Sequence, residues 1–226
     1  DWKLELDQHL LAGDLRIPRA ELDADPMNAS LKGKMRVDLK DLNLIPAFVR
    51  QIQHIDGSAD VDLQLDGKVN APRIIGYARV QAGTIVIPLA GLELRDANIN
   101  IDANGSNKLD IKGEVSSGEG RLDLNGSLVL DGEQGWPLEL ILKGEQFQAA
   151  NLPEAQAIIS PDIQLSTVKD ILKLRGKLVV PKAVIELMEL PEGSQSVSAD
   201  VVVMEDGQVI GGATGYKVDA DVSLEL

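Results

Sequence analysis

Leu109-Asp110-Ile111-Lys112-Gly113-Glu114-Val115 is the stretch on which the fold turns. Apolar and polar residues alternate along it, and a period of two is that of a β-strand with one face against a core and one in water. Gly113 shares its face with Leu109, Ile111 and Val115. The unit apolar-x-Gly-x-apolar recurs at Leu31-Lys32-Gly33-Lys34-Met35, Leu65-Asp66-Gly67-Lys68-Val69, Leu124-Asn125-Gly126-Ser127-Leu128 and Leu174-Arg175-Gly176-Lys177-Leu178. A weaker copy surrounds Gly144. The spacing of the copies is irregular, which fits an array of hairpins of variable length better than a strict solenoid.

In each unit the glycine lies on the apolar face. Aligned side by side, Gly33, Gly67, Gly113, Gly126, Gly144 and Gly176 would form a line along which a sheet can bend toward that face. The residues equally allow a second reading, in which each glycine marks a turn or bulge between two short strands. Other turns are plainer: Ala103-Asn104-Gly105-Ser106, Asp131 to Gly135 and Glu205-Asp206-Gly207 separate alternating runs. Helical spacing is scarce. Leu44 to Ile55, with Ile45, Phe48, Val49 and Ile52 on one side and Pro46 in a first turn, predicts one short helix.

The 226 residues are 44% hydrophobic but only 3% aromatic, so aliphatic side chains must supply nearly all apolar contact. A closed β-core ordinarily leans on aromatic packing, which points instead to an apolar groove. A net charge of -14 speaks against nucleic acid, whose phosphates need clustered Lys and Arg. No run approaches the ~20 apolar residues of a membrane-spanning helix. Both ends alternate with no turn to close them, so we expect a piece of a longer protein.

Chemistry has little to work with. His9 and His54 are the only histidines, without metal-ligand spacing, and the many acids alternate with apolar residues as a solvated strand face. Asp102 to Asn107 lacks the alternating ligands of a calcium loop and reads as a tight turn. Gly211-Gly212-Ala213-Thr214-Gly215 lacks the Lys-Ser/Thr and helix of a phosphate loop. We expect no enzyme activity, no metal and no cofactor.

Two blocks carry a resemblance. Pro72 to Pro88 with Gly91-Leu92-Glu93-Leu94-Arg95-Asp96, and Ser160-Pro161-Asp162-Ile163 through Leu174 to Ile185, Leu190-Pro191-Glu192 and Ser198 to Val203, resemble in order and spacing the C-terminal conserved region of the TamB family. These are inner-membrane subunits of the bacterial translocation and assembly module, related to AsmA-like bridge-type lipid transporters. Residues 1–71 are expected to form a preceding β-repeat segment with the short helix, and residues 72–226 a trough domain of that family's C-terminal type, the resemblance itself running from Pro72 to Val203.

The resemblance implies an all-β, elongated open sheet curled into a taco-like trough, apolar inside and polar outside. It also implies a periplasmic position in a full-length protein anchored in the inner membrane. The function expected from it is conduction of phospholipids between the membranes. The candidate acyl-chain lining is Leu63, Leu65, Ile85, Ile87, Leu109, Ile111, Val115, Leu122, Leu124, Leu128, Leu138, Leu140, Leu174, Leu178 and Val180. A second reading is a scaffold that works with the module's outer-membrane barrel subunit to secrete or insert unfolded outer-membrane proteins. A third is a closed β-sandwich with no ligand.

Overall fold

A computed structural model describes residues 2–6, 9–169, 171–186, 204–205, 208–209 and 217–226. Fifteen strands occur in it: β1 Trp2–Leu6, β2 His9–Arg16, β3 Lys32–Leu39, β4 His54–Lys68, β5 Ala71–Ile87, β6 Leu92–Asn104, β7 Lys108–Ser117, β8 Gly120–Val129, β9 Leu138–Glu145, β10 Phe147–Asn151, β11 Ala155–Val168, β12 Ile171–Ile185, β13 Met204–Glu205, β14 Gln208–Val209 and β15 Lys217–Glu225. All but the short β13–β14 ribbon belong to one sheet, in the order β1 to β9, then β11, β12 and β15. Every neighbour is antiparallel except β15, which runs parallel to β12.

The sheet is open and curled. No second sheet packs on its apolar face among the described residues, so the closed-sandwich reading does not hold. The expected division at 71/72 falls in the first residues of β5, which pairs β4 continuously from Gly57↔Ala82 to Lys68↔Ala71.

A belt of irregular pairing crosses one side of the sheet. Register shifts occur between Ile55 and Gly57 on β4, between Arg95 and Asn98 on β6, and between Ile158 and Ser160 on β11. Gly57 (φ 145°) and Asp96 (φ 52°) supply the backbone turns there, as expected of bulges that kink a strand while keeping its apolar side chains on one face. β10 continues beyond β9 after Gln146 (φ 48°) and pairs β11, passing the end of the β7–β8 hairpin. There the hydroxyl of Ser117, fully buried, donates to the main-chain oxygen of Gln148 at 2.7 Å. At the opposite strand ends the 130–136 loop reaches the β4–β5 turn, where the Gly132 amide donates to Asn70 O at 2.7 Å.

The helix expected over Leu44 to Ile55 is realised only as a 3-10 turn, Ile45–Ala47, followed by further turns. Its last residues join the sheet instead: His54 and Ile55 pair Val86 and Ile85, and burying Ile55 outweighs continuing a helix. One short helix, α1 Arg19–Ala24, was not expected; it carries Leu22 as its sole large apolar residue and buries none of its side chains. The expected tips at Asn104-Gly105 and Asp131 to Gly135 are turns, with Gly105 (φ 87°) and Gly135 (φ 74°) left-handed. Asp206-Gly207, Gly211 to Gly215 and the family-like residues Leu190 to Glu192 and Ser198 to Val203 lie outside the described residues.

Candidate functional site: the apolar face

Strand register turns the alternation of single strands into tracks that run across the sheet. One follows Leu11, Val37, Val61, Ala78, Ile101, Ile111, Gly126, Leu140, Leu165, Leu174 and Ala220, each the cross-strand partner of the next. Two residues along, a second follows Leu39, Ala59, Val80, Ile99, Gly113, Leu124, Leu142, Ile163, Gly176 and Val222. Neither contains a polar residue. At about 4.8 Å per strand, the first track extends about 48 Å over its eleven strands.

The opposite face is polar. Its track runs Arg36, Asp62, Tyr77, Asp102, Asp110, Ser127, Glu139, Ser166, Lys173 and Asp219. Exposed ion pairs knit it: Arg36 with Asp62, Arg121 with Asp123 (3.1 Å) and Arg175 with Asp219 (2.6 Å). The Arg175 hydrogen bond holds the Asp219 carboxyl below the ordinary carboxylate range. Tyr77 donates to Asp60 at 3.0 Å, which raises its phenol, and carries Arg79 over its ring at 4.6 Å. Such exposed contacts stabilise weakly. A hollow of about 560 Å³ lies on this face among Asp102, Lys108, Asp110, Lys112, Asn125, Glu139 and Gln164, with the exposed Ile141 at its side. Among the described residues no group of three metal-ligating side chains occurs, and His54 is exposed at the start of β4.

All fifteen candidate lining residues are half-buried. Leu63, Leu109, Leu128 and Leu138 fall on one further track, and Ile111, Leu140 and Leu174 on the first described. Leu124 lies on the second, while Val115 pairs Leu122 beside it. Ile85 pairs Ile55 and Leu94, and Ile87 pairs Leu92, beyond the belt of bulges. Leu65 stands opposite Gly33, and Leu178 opposite Pro161. Val180 sits on β12 at the register shift, between the pairs Ser160↔Val179 and Ile158↔Lys182. Ile85 and Val115 pack against the cluster that segment 40–53 forms on the face, whereas Leu124, Leu140 and Leu174 are half-buried among their own strand neighbours.

The glycines occupy this face in a staggered arrangement. Gly33 opposes Leu15 and Leu65, Gly67 opposes Pro72, Gly113 opposes Ile99 and Leu124, and Gly126 opposes Ile111 and Leu140. Gly144 opposes Leu122, and Gly176 opposes Ile163 and Val222. No two of the six are cross-strand partners, so each gap lies beside a side chain of the neighbouring strand. Sequence reading had no access to this, because register is set by pairing between strands.

One feature of the face was missed. Segment 40–53, between β3 and β4, folds over it and places Leu42, 2% exposed, against Ile55, Ala59, Ala82 and Ala97, with Leu39, Ile45 and Ile52 packed alongside. The available signal was the run of small residues (Gly57, Ala59, Ala82, Ala97) at positions that elsewhere on the face hold Leu, Ile or Val.

Residues 107–225, more than half of the chain, match the profile of the TamB C-terminal domain. The chain belongs to the TamB family. It is 21% identical over 177 residues to the translocation and assembly module subunit TamB of Haemophilus influenzae, an alignment covering 78% of this chain. The chain spans 14% of that relative's length. No solved structure matches. The TamB profile begins at the β6–β7 turn and ends within β15, so it takes in the half of the apolar face that segment 40–53 leaves bare.

Proposed function

We propose that this chain is a periplasmic stretch of an envelope-spanning TamB protein and that its apolar face conducts phospholipid acyl chains between the inner and outer membranes. The carrying observation is the pair of apolar tracks that cross the sheet, whose large aliphatic side chains from β8 to β12 are half-buried with no second layer over them among the described residues. Tails lying on them avoid about 0.8 kcal/mol of hydration cost per CH₂ while head groups stay in water. The fifteen half-buried residues are the proposed lining, and the six staggered glycines the places where strands bend around it. No cofactor or catalytic residue is required.

The test is native mass spectrometry of the chain purified from bacterial membranes, for wild type and for Leu124→Asp/Leu140→Asp/Leu174→Asp. Phospholipid on wild type and none on the triple variant, with strand content unchanged by circular dichroism, is the expected result. Equal lipid on both overturns the reading.

A second reading draws on β15, which has no strand on its outer edge among the described residues. Such an edge accepts an added strand by backbone pairing. It suits a scaffold for outer-membrane protein clients acting with the module's barrel subunit. Crosslinks from β15 to nascent barrel strands, with no phospholipid retained on the tracks, would favour it over the conduit.

A further inference from the structure

Segment 40–53 is attached to the sheet in an unusual way. Two main-chain hydrogen bonds tie it to the sheet: Leu42 N to Gly57 O at 3.1 Å and Gln53 N to Val86 O at 2.9 Å, one near each end. Its other main-chain bonds are internal, from Ile45 N to Leu42 O through Ile52 N to Val49 O. At the first anchor the side chain of Leu42 fills a recess floored by small residues, of which Ala82 is 3% exposed. This recess interrupts the second apolar track at Ala59, so material moving along that track from Val222 toward β4 meets Leu42.

The outward side of the segment is not that of an ordinary surface loop. Leu44 is 49%, Phe48 85% and Val49 38% exposed. From Leu42 through Ile55 there is no acidic residue, in a chain that has 36 Asp and Glu. A loop of this composition is poorly matched to water and well matched to hydrocarbon beneath an anionic or zwitterionic head-group layer.

We propose that segment 40–53 is a resident plug of the apolar groove, in which Leu42 occupies a seat for a phospholipid acyl chain and leaves it when lipid arrives. The proposal rests on the conduit reading and adds regulation of the same groove. Lipid and Leu42 compete for the Gly57, Ala59, Ala82 and Ala97 floor, and the apolar outer side of the displaced segment packs on the incoming tails. The competition makes opening dependent on lipid, because a ligand shifts a two-state element only through its differential affinity for the two states.

The chain contains no cysteine, so single thiols report cleanly. Leu42→Cys is labelled with a water-soluble maleimide, alone and with vesicles of phosphatidylethanolamine and phosphatidylglycerol. Phe48→Cys sets the rate of an open position. Without vesicles Leu42→Cys should label far more slowly than Phe48→Cys. Vesicles should accelerate it about tenfold or more, the scale expected when one buried leucine loses its contacts. Adding Ala82→Leu, which overfills the floor, should give fast labelling without lipid while strand content stays unchanged. An unchanged rate at position 42 on adding vesicles overturns the plug. If native mass spectrometry then still finds phospholipid on the wild type, the conduit stands without the plug; if it finds none, both fall.

Discussion

The floor under Leu42 and the floor from β8 to β12 belong to the same face of the same sheet, yet they are built differently. Beneath the plug, Ala59, Ala82 and Ala97 are at most 9% exposed and Ile55 is 6% exposed. From β8 to β12 the corresponding positions are Leu124, Leu140, Leu142, Leu165 and Leu174, all half-buried. Where the chain itself covers the sheet, small side chains make room for the cover. Where nothing covers it, large ones stand up from the sheet. Alternation reveals which face is apolar; side-chain size reveals whether that face is occupied.

The largest effect separating the two floors should come from a charge. Ala82→Asp places a carboxyl in a sealed apolar recess and should cost about 3 kcal/mol or more of unfolding free energy. Leu124→Asp, on the bare floor, can be hydrated and should cost about 1–2 kcal/mol. Urea titrations of both variants check this, and equal costs would erase the distinction between covered and bare floor.

That distinction marks the limit of what alternation could reveal. Strands such as Leu109 to Val115 and Leu172 to Val180 were legible because side-chain facing follows from a period of two within one strand. The apolar face follows from the same pattern, while the open sheet was an expectation from the family resemblance. Register, by contrast, is settled between strands, so the stagger of Gly113 against Leu124 and Gly126 against Leu140 was hidden. The parallel seating of β15 on β12 was hidden too, since residues 186 and 217 are far apart in sequence. Asp96, Gln146 and Lys169 take left-handed φ values of 52°, 48° and 54° with no glycine to announce it. The helix expected over Leu44 to Ile55 rested on a correct observation of apolar spacing, but tertiary packing of Leu42 and Ile55 redirected it.

Glycine substitutions give a smaller effect and sharpen the comparison within the bare floor. A methyl on Gly126 would collide with the main-chain oxygen of Glu139 and lie 2.9 Å from the Leu140 Cα. A methyl on Gly113 meets Asn98 O and Leu124 Cβ at 3.5 Å and Leu124 Cδ2 at 3.7 Å, all ordinary contact distances. Gly126→Ala should therefore destabilise by about 2 kcal/mol. Gly113→Ala should be neutral or stabilise by up to about 1 kcal/mol through the unfolded chain's reduced freedom. Thermal melts of the two variants rank them, and a loss at Gly113 as large as at Gly126 would show that both glycines are needed for bending alone.

The smallest effect concerns the far edge of the bare half. Asp219, with its carboxyl held low by Arg175, favours the seating of β15 on β12 only while ionised. Because the folded-state pKa lies below the unfolded one, this contribution is present above the ordinary carboxylate range and fades as pH falls through the depressed value. Amide chemical shifts of Val218 and Ala220 should move toward unpaired values on acidification, and Arg175→Gln should remove that pH dependence. Shifts in Arg175→Gln that track the wild type would assign the change to other carboxylates.

The two apolar tracks run perpendicular to the strands, so each strand contributes one rung and the cross-section repeats without a natural stopping point. Reach and shape are thereby uncoupled. Inserting or deleting one hairpin changes the span by about 10 Å and leaves every rung but the two at the junction with the same neighbours on its face. A sheet built this way is a ruler graduated in hairpins, its reach adjustable without redesign of its interior.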